Sequence, residues 1–198
     1  MGKIFCLMGK SSSGKDTIYK YLIADQELRL KRIVPYTTRP IRQGEQEGVE
    51  YHFVNAEQMF EYEKSGQMIE KRAYETVHGT WYYFTVCEKQ MNLETEDYLV
   101  IGTLESWRSM CRHFGRDKII PVYIEVKNSI RRKRAIAREK EQKVPDYPEM
   151  RRRYRADGKD FSEKILTEEG IVKRFQNENL EMCLREIKLF IQSEMRYN

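Results

Sequence analysis

An α/β fold, in which a parallel sheet is covered by helices on both faces, is what this 198-residue sequence predicts. Three observations carry that expectation. Short continuous apolar runs at residues 4–8, 98–102 and 119–126 read as strands buried on both sides. Each is followed by residues with apolar side chains at helical spacing. A glycine-rich loop joins the first strand to the first helix.

Taken in order, the strand over 4–8 stops at Gly9, and Ile18, Tyr21 and Leu22 mark a helix over 15–24. A strand is expected over 31–36, then a polar segment punctuated by Pro40 and Gly48. Another strand starts at Tyr51, and a helix over 56–64 is closed by Ser65-Gly66. Strands over 67–74 and 81–85 flank a turn at 76–80. Beyond the core strands at 98–102 and 119–126, helices are expected over 104–114 and 129–141. Pro145 and Pro148 break the helical pattern, which suits a hinged helix–loop–helix lid. A last strand lies over 171–175. Leu180, Cys183, Leu184, Ile187, Phe190 and Ile191 give the closing amphipathic helix over 179–197. The organisation expected is one domain: a core of 1–33, 91–128 and 165–198, an inserted strand-rich substrate-binding subdomain at about 34–90, and a helical lid at about 129–164.

Composition narrows the classes. The balance of 40% apolar and 34% charged residues suits a soluble globular chain. No apolar stretch approaches the roughly 18 residues of a membrane span, and the apolar N-terminal run is too short for a signal peptide. The cytoplasm is the expected location. Cys6, Cys87, Cys111 and Cys183 lie far apart, as reduced thiols do, and His52, His78 and His113 are too scattered for a zinc site. The net charge of +5 gathers in arginines at Arg39 and Arg42 and in the run from Arg131 to Arg155. Nucleic acid or two small polyanions would each explain this. Aromatics do not interleave with the second cluster as base-stacking platforms would, so a small-molecule partner is expected and nucleic acid is not.

Gly9, Gly14 and Lys15 fit the spacing G-x-x-x-x-G-K. Glycines let the backbone wrap inward so that the N–H groups of Ser11, Ser12, Ser13, Gly14 and Lys15 face phosphate oxygens. The helix that begins there adds its positive end. Lys15 can reach between the β- and γ-phosphates. The expected ligand is ATP with Mg²⁺, on a core of P-loop NTPase type. The residue after the lysine, which should carry a hydroxyl for the metal shell, is Asp16, and Thr17 follows. Asp16 could act through a metal-bound water, Thr17 could take the role, or Asp16 could simply favour the helix N-terminus.

A second anion site is written into residues 37–51. Arg39 and Arg42 stand three apart on a constrained loop and Tyr51 returns nine residues later, a cage for one terminal phosphate. A solvated charged loop is the plainer alternative. This segment resembles the guanylate kinase pattern T-T-R-x-x-R-x-G-E-x-x-G-x-x-Y at every fixed position. The resemblance extends to the phosphate loop, a later G-[ST] turn at Gly79-Thr80, a basic lid, and an N-x-x-L at Asn177–Leu180.

That resemblance implies that Arg39, Arg42 and Tyr51 grip the phosphate of a nucleoside monophosphate. It implies that Glu70 reads guanine by accepting N1–H and N2–H, and that Thr80 helps to hold the base. Arg138 and Arg153, with Arg152 as an alternative to the latter, would join Lys15 on the transferring phosphoryl group. Three departures stand out: Pro35 where the family has serine, His78 where it has a phosphate-binding tyrosine, and Thr103 and Glu105 in place of a D-x-D. The implied reaction is GMP + ATP to GDP + ADP by a monomer or homodimer. The alternatives are the same chemistry on another phosphorylated acceptor such as a ribose bisphosphate, or a non-catalytic binding module.

Overall fold

Strand β1 (Ile4–Gly9) is buried along its whole length, and the architecture follows from how its two faces are covered. The computed structural model describes residues 1–41, 45–76, 79–87, 91–142 and 145–196. Helix α1 (Lys15–Ala24) follows β1, then β2 (Lys31–Arg32), β3 (Tyr36–Thr37), β4 (His52–Phe53), α2 (Ala56–Lys64), β5 (Met68–Thr76) and β6 (Gly79–Val86). The chain continues through β7 (Tyr98–Ile101), α3 (Leu104–Phe114), β8 (Ile119–Glu125), α4 (Asn128–Glu141), α5 (Tyr147–Asp160), α6 (Glu163–Glu168), β9 (Arg174–Gln176) and α7 (Leu180–Arg196).

Five strands form a wholly parallel sheet in the order β2-β7-β1-β8-β9. Because side chains alternate along a strand, Ile4, Cys6 and Met8 enter one core with Trp107, Met110, Phe161, Leu166 and Ile171. Phe5 and Leu7 enter the other with Ile18, Leu22, Phe175, Ile187 and Ile191. In sheets of this kind ligands gather at the carboxyl ends of the strands, where the order reverses. Here β1 ends at Gly9 and opens into the glycine loop. Among the described residues no helix is long and apolar enough to cross a membrane.

Four strands make a second sheet, β4-β3-β6-β5, around Tyr36, Met59 and Phe84. The single strand expected over 31–36 is therefore two. Residues Lys31–Arg32 pair with β7 of the first sheet, while Tyr36–Thr37 pair with β4 and β6 of the second. Pro35 sits at the crossover, where it gives up no sheet hydrogen bond through its missing N–H. The segment 129–164 holds most of α4 and all of α5, and the short α6 begins at its end, where Ser162 caps it by accepting from Ile165 N. The expected break at Lys143 and Val144 lies outside the described residues.

Ile187 of α7 is fully buried, whereas Met182 one and a half turns earlier is 71% exposed. Ile187→Ala should cost about 2–5 kcal/mol in urea unfolding, through lost transfer energy and a residual cavity. Met182→Ala should stay within about 0.5 kcal/mol.

Candidate active site

Gly14 has φ +88, and a Cβ there would run into the amide nitrogen of Asn177, so only glycine suits the position. That amide donates to the Ser13 carbonyl (2.8 Å), tying the loop to the segment just before α7. Helix α1 then starts with no side-chain cap on its first N–H groups, which leaves them for an anion. The hydroxyls of Ser12 and Ser13 are buried with no hydrogen-bond partner among the described residues. These orphaned donors and the uncapped helix fit a phosphate group.

Facing the loop is a cleft of about 410 Å³ lined by Lys15, Asp16, Thr17, Arg134, Arg138 and Arg153, among others. The structure thus brings Lys15, Arg138 and Arg153 together. Arg131, Arg134 and Arg138 recur at i, i+3 and i+7 on α4, one stripe of the helix. Arg134 donates to the Asn177 carbonyl (2.9 Å). On α5, Arg153 lies 3.5 Å from the buried Glu139, and Arg152 is taken up by Glu149 on the exposed side. Of the two lid arginines offered by the sequence, it is Arg153 that lines the cleft. The side chain of Asp16 is 68% exposed and lies 3.9 Å from the Lys15 amine.

A network with no motif signal fixes the loop to α4 and α5. Asp157 of α5 accepts from Ser11 N (3.0 Å), Ser11 Oγ (3.1 Å) and Arg131 Nη2 (2.6 Å). Arg131 Nε donates to the Ser11 carbonyl (2.9 Å), and its guanidinium lies over the Tyr154 ring. Ser11, expected as a phosphate contact, is therefore bonded on its N–H, its hydroxyl and its carbonyl. The pattern of Arg131 could have been read from its spacing; Asp157 gives no comparable signal.

The second anion site forms on the other sheet. Thr37 accepts from Arg39 N (3.2 Å) and donates to the Tyr82 carbonyl (2.9 Å), while Thr38 Oγ1 accepts from Tyr82 N (2.9 Å). Paired threonines thus bolt the arginine loop to β6. Arg39 is almost fully buried, and its Nη1 and Nη2 donate to Glu45 at 2.8 and 2.6 Å. Its Nε is buried without a partner among the described residues, and the guanidinium lies over the Tyr51 and Phe53 rings. Burial works against the charge of Arg39, but bonding to Glu45 and the neighbouring Tyr83 outweighs it and holds the guanidinium above its usual pKa. Tyr51 packs edge-on against Tyr83 at 5.5 Å. Burial, then the Tyr83 phenol, raises the Tyr51 pKa, with Asp16 of the first site adding a smaller push. Tyr51 stays a neutral donor. Arg42 and His78 lie outside the described residues.

Glu70 is buried at the back of this site. Its Oε1 accepts from Thr85 Oγ1 (2.8 Å) and Arg72 Nη2 (3.3 Å), and its Oε2 from Arg72 Nε (2.9 Å). Thr80, expected to help hold the base, stands away from Glu70. It pairs with Glu75 near the hairpin tip, and its Oγ1 donates to the Glu75 carboxylate. The reason is the hairpin register: Glu70 pairs with Thr85, five residues beyond Thr80, or about 17 Å along a strand. Tyr83 and Thr85, with the same two-residue spacing, are the residues of β6 that meet Tyr51 and Glu70. The missing D-x-D is a helix cap: Thr103 accepts from Ser106 N in a capping box, and Glu105 is exposed in the first turn.

Asp157→Ala should leave the buried Arg131 charge unpaired and cost about 3–5 kcal/mol of unfolding free energy in guanidinium titration. In an Arg131→Met background the same change should cost much less, because the stranded charge is gone.

Comparison with known proteins agrees with this architecture. The solved guanylate kinase of Anaplasma phagocytophilum superposes over 98% of this chain and 86% of its own, with a TM-score of 0.65 at 22% identity, a likeness of fold. The guanylate kinase of Porphyromonas gingivalis is 25% identical over 95% of both chains. That of Helicobacter hepaticus is 31% identical over 70% of this chain and 68% of its own. The matches to the Desulfotalea psychrophila and Campylobacter jejuni guanylate kinases span only 38% and 60% of those proteins' lengths. The guanylate kinase family model matches residues 1–193, and with sheet order, phosphate loop and arginine loop all in place, the chain belongs to the guanylate kinase family.

Proposed function

We propose that this protein transfers the γ-phosphoryl group of ATP to a nucleoside monophosphate, with GMP as the acceptor. The observation that carries this reading is that one chain holds two anion sites. One is the cleft of Lys15, Arg138 and Arg153 at the phosphate loop; the other is built on Arg39, Tyr51 and Tyr83, on the sheet that also carries the buried Glu70 carboxylate. A binding module would need neither the uncapped α1 N-terminus nor a lid whose arginines converge on it.

Phosphoryl transfer asks for alignment and charge compensation rather than covalent help. The N–H groups at the start of α1, the Ser12 and Ser13 hydroxyls and Lys15 would hold the β- and γ-phosphates. Arg138 and Arg153 would offset charge on the group in flight. The Arg39 Nε–H and the Tyr51 and Tyr83 hydroxyls would fix the acceptor phosphate in line with it. No group of three or more His, Cys, Asp or Glu gathers as a metal site among the described residues. That suits a Mg²⁺ ion carried on the nucleotide, with Asp16 or Thr17 beside it. Bound there, the ion would neutralise charge on the phosphate oxygens.

ADP release from ATP and Mg²⁺, measured with GMP, AMP, CMP, UMP and ribose 1,5-bisphosphate in turn, tests the reading. Turnover with GMP is expected; turnover with the bisphosphate alone would replace the acceptor while keeping the phosphate loop. Lys15→Ala should lower kcat by about 10²–10³-fold, the usual cost of one transition-state donor, without loss of fold by circular dichroism.

A further inference from the structure

We infer that the base site reads the N1–H and O6 edge of a 6-oxopurine through Glu70 and Arg72 acting as one unit. Nucleoside monophosphates with and without a 2-amino group would then both be acceptors. This rests on the reading of the protein as a nucleoside monophosphate kinase.

The argument is a count of hydrogen-bonding capacity. A carboxylate offers about four lone-pair positions. In Glu70 three of them are filled from within the protein: Thr85 Oγ1 and Arg72 Nη2 on Oε1, and Arg72 Nε on Oε2. One acceptor position remains, on Oε2. Guanine brings N1–H and the N2 amine to that edge, and a single lone pair satisfies N1–H and leaves the amine without a protein partner.

The donors tell the same story. Of the five N–H groups of Arg72, two serve Glu70 and a third reaches Thr103 Oγ1 at a long 3.4 Å. Among the described residues the other two have no partner. Thr103, the hydroxyl that Arg72 reaches, is engaged as the cap of α3. Arginine is well matched to O6 and N7 of a purine. Both side chains are sheltered, 15% exposed for Arg72 and 3% for Glu70. Burial opposes the charge of Arg72, but Glu70 beside it more than compensates, so the donor stays charged. Adenine presents its N1 acceptor and N6 donor in the reverse order. Thr85 and Arg72 hold Glu70 in one orientation, so that order matters.

The test compares kcat/KM for GMP and inosine 5′-monophosphate, which differ only by the 2-amino group. With the unaltered protein the two values should agree within about 10-fold. A site built around the amine would reject inosine monophosphate by about 10⁴-fold, and any preference for GMP above about 10-fold overturns the inference while leaving GMP kinase activity intact. Arg72→Met supplies the second arm. It releases two lone pairs of Glu70 to the amine, so the GMP to inosine monophosphate ratio should rise by about 10-fold or more even as both rates fall. Equal losses with an unchanged ratio would mean that Arg72 merely supports the pocket. Turnover of neither nucleotide by the unaltered protein removes the kinase reading and this one together. The first arm needs no variant and stands whether or not Arg72→Met folds.

Discussion

Burial of β1 is the constraint on which the rest of the structure depends. Every residue of Ile4–Gly9 is inaccessible, and the strand pairs with β7 on one side and β8 on the other. An interior strand in a parallel sheet must satisfy both faces with apolar side chains and both edges with neighbours. Its one way out is at the carboxyl end, and there the chain becomes the loop that turns back into α1. The position of the phosphate loop is therefore set by the packing of the sheet, and the loop's own serines and glycines have only to shape it.

How far this was legible in the sequence depends on how local the determining physics is. The parallel core and its helices could be read because apolar periodicity is a local signal, and α1, α2 and α3 fall on the expected residues. The phosphate and arginine loops could be read because their chemistry demands particular residues at fixed spacing. The hairpin failed in register. Gly79-Thr80 looks like the motif turn, but Glu70 pairs farther along, with Thr85, in a Tyr-Tyr-Phe-Thr segment whose phenylalanine masks any likeness to a glycine turn. Cross-strand partners are decided by pairing along the whole ladder. Asp157 was invisible for a similar reason: it meets Ser11 across 146 residues of sequence, and no local pattern announces such a contact.

A theme joins the two anion sites. Four of the arginines at these sites arrive with a carboxylate: Arg39 with Glu45, Arg72 with Glu70, Arg131 with Asp157, Arg153 with Glu139. Buried guanidinium groups would be costly alone, and the acids let them be stored near the cleft at fixed orientation. The price is that some carboxylate oxygens occupy donors a nucleotide could otherwise use. Rigid pairs favour geometric selectivity over raw attraction, as preorganised polar sites generally do.

The loop-to-lid network has a mechanical consequence. Asp157 and Arg153 are four residues apart on α5, about 6 Å along the axis, and Asp157 is fastened to Ser11. Helix α5 is therefore anchored one turn from its cleft-facing arginine. Its other end is held as well, because Asp146 N donates to the buried Glu139 of α4 (3.0 Å). An anchor so close to Arg153 sets the reach of that charge toward the phosphate loop by one turn of rigid helix.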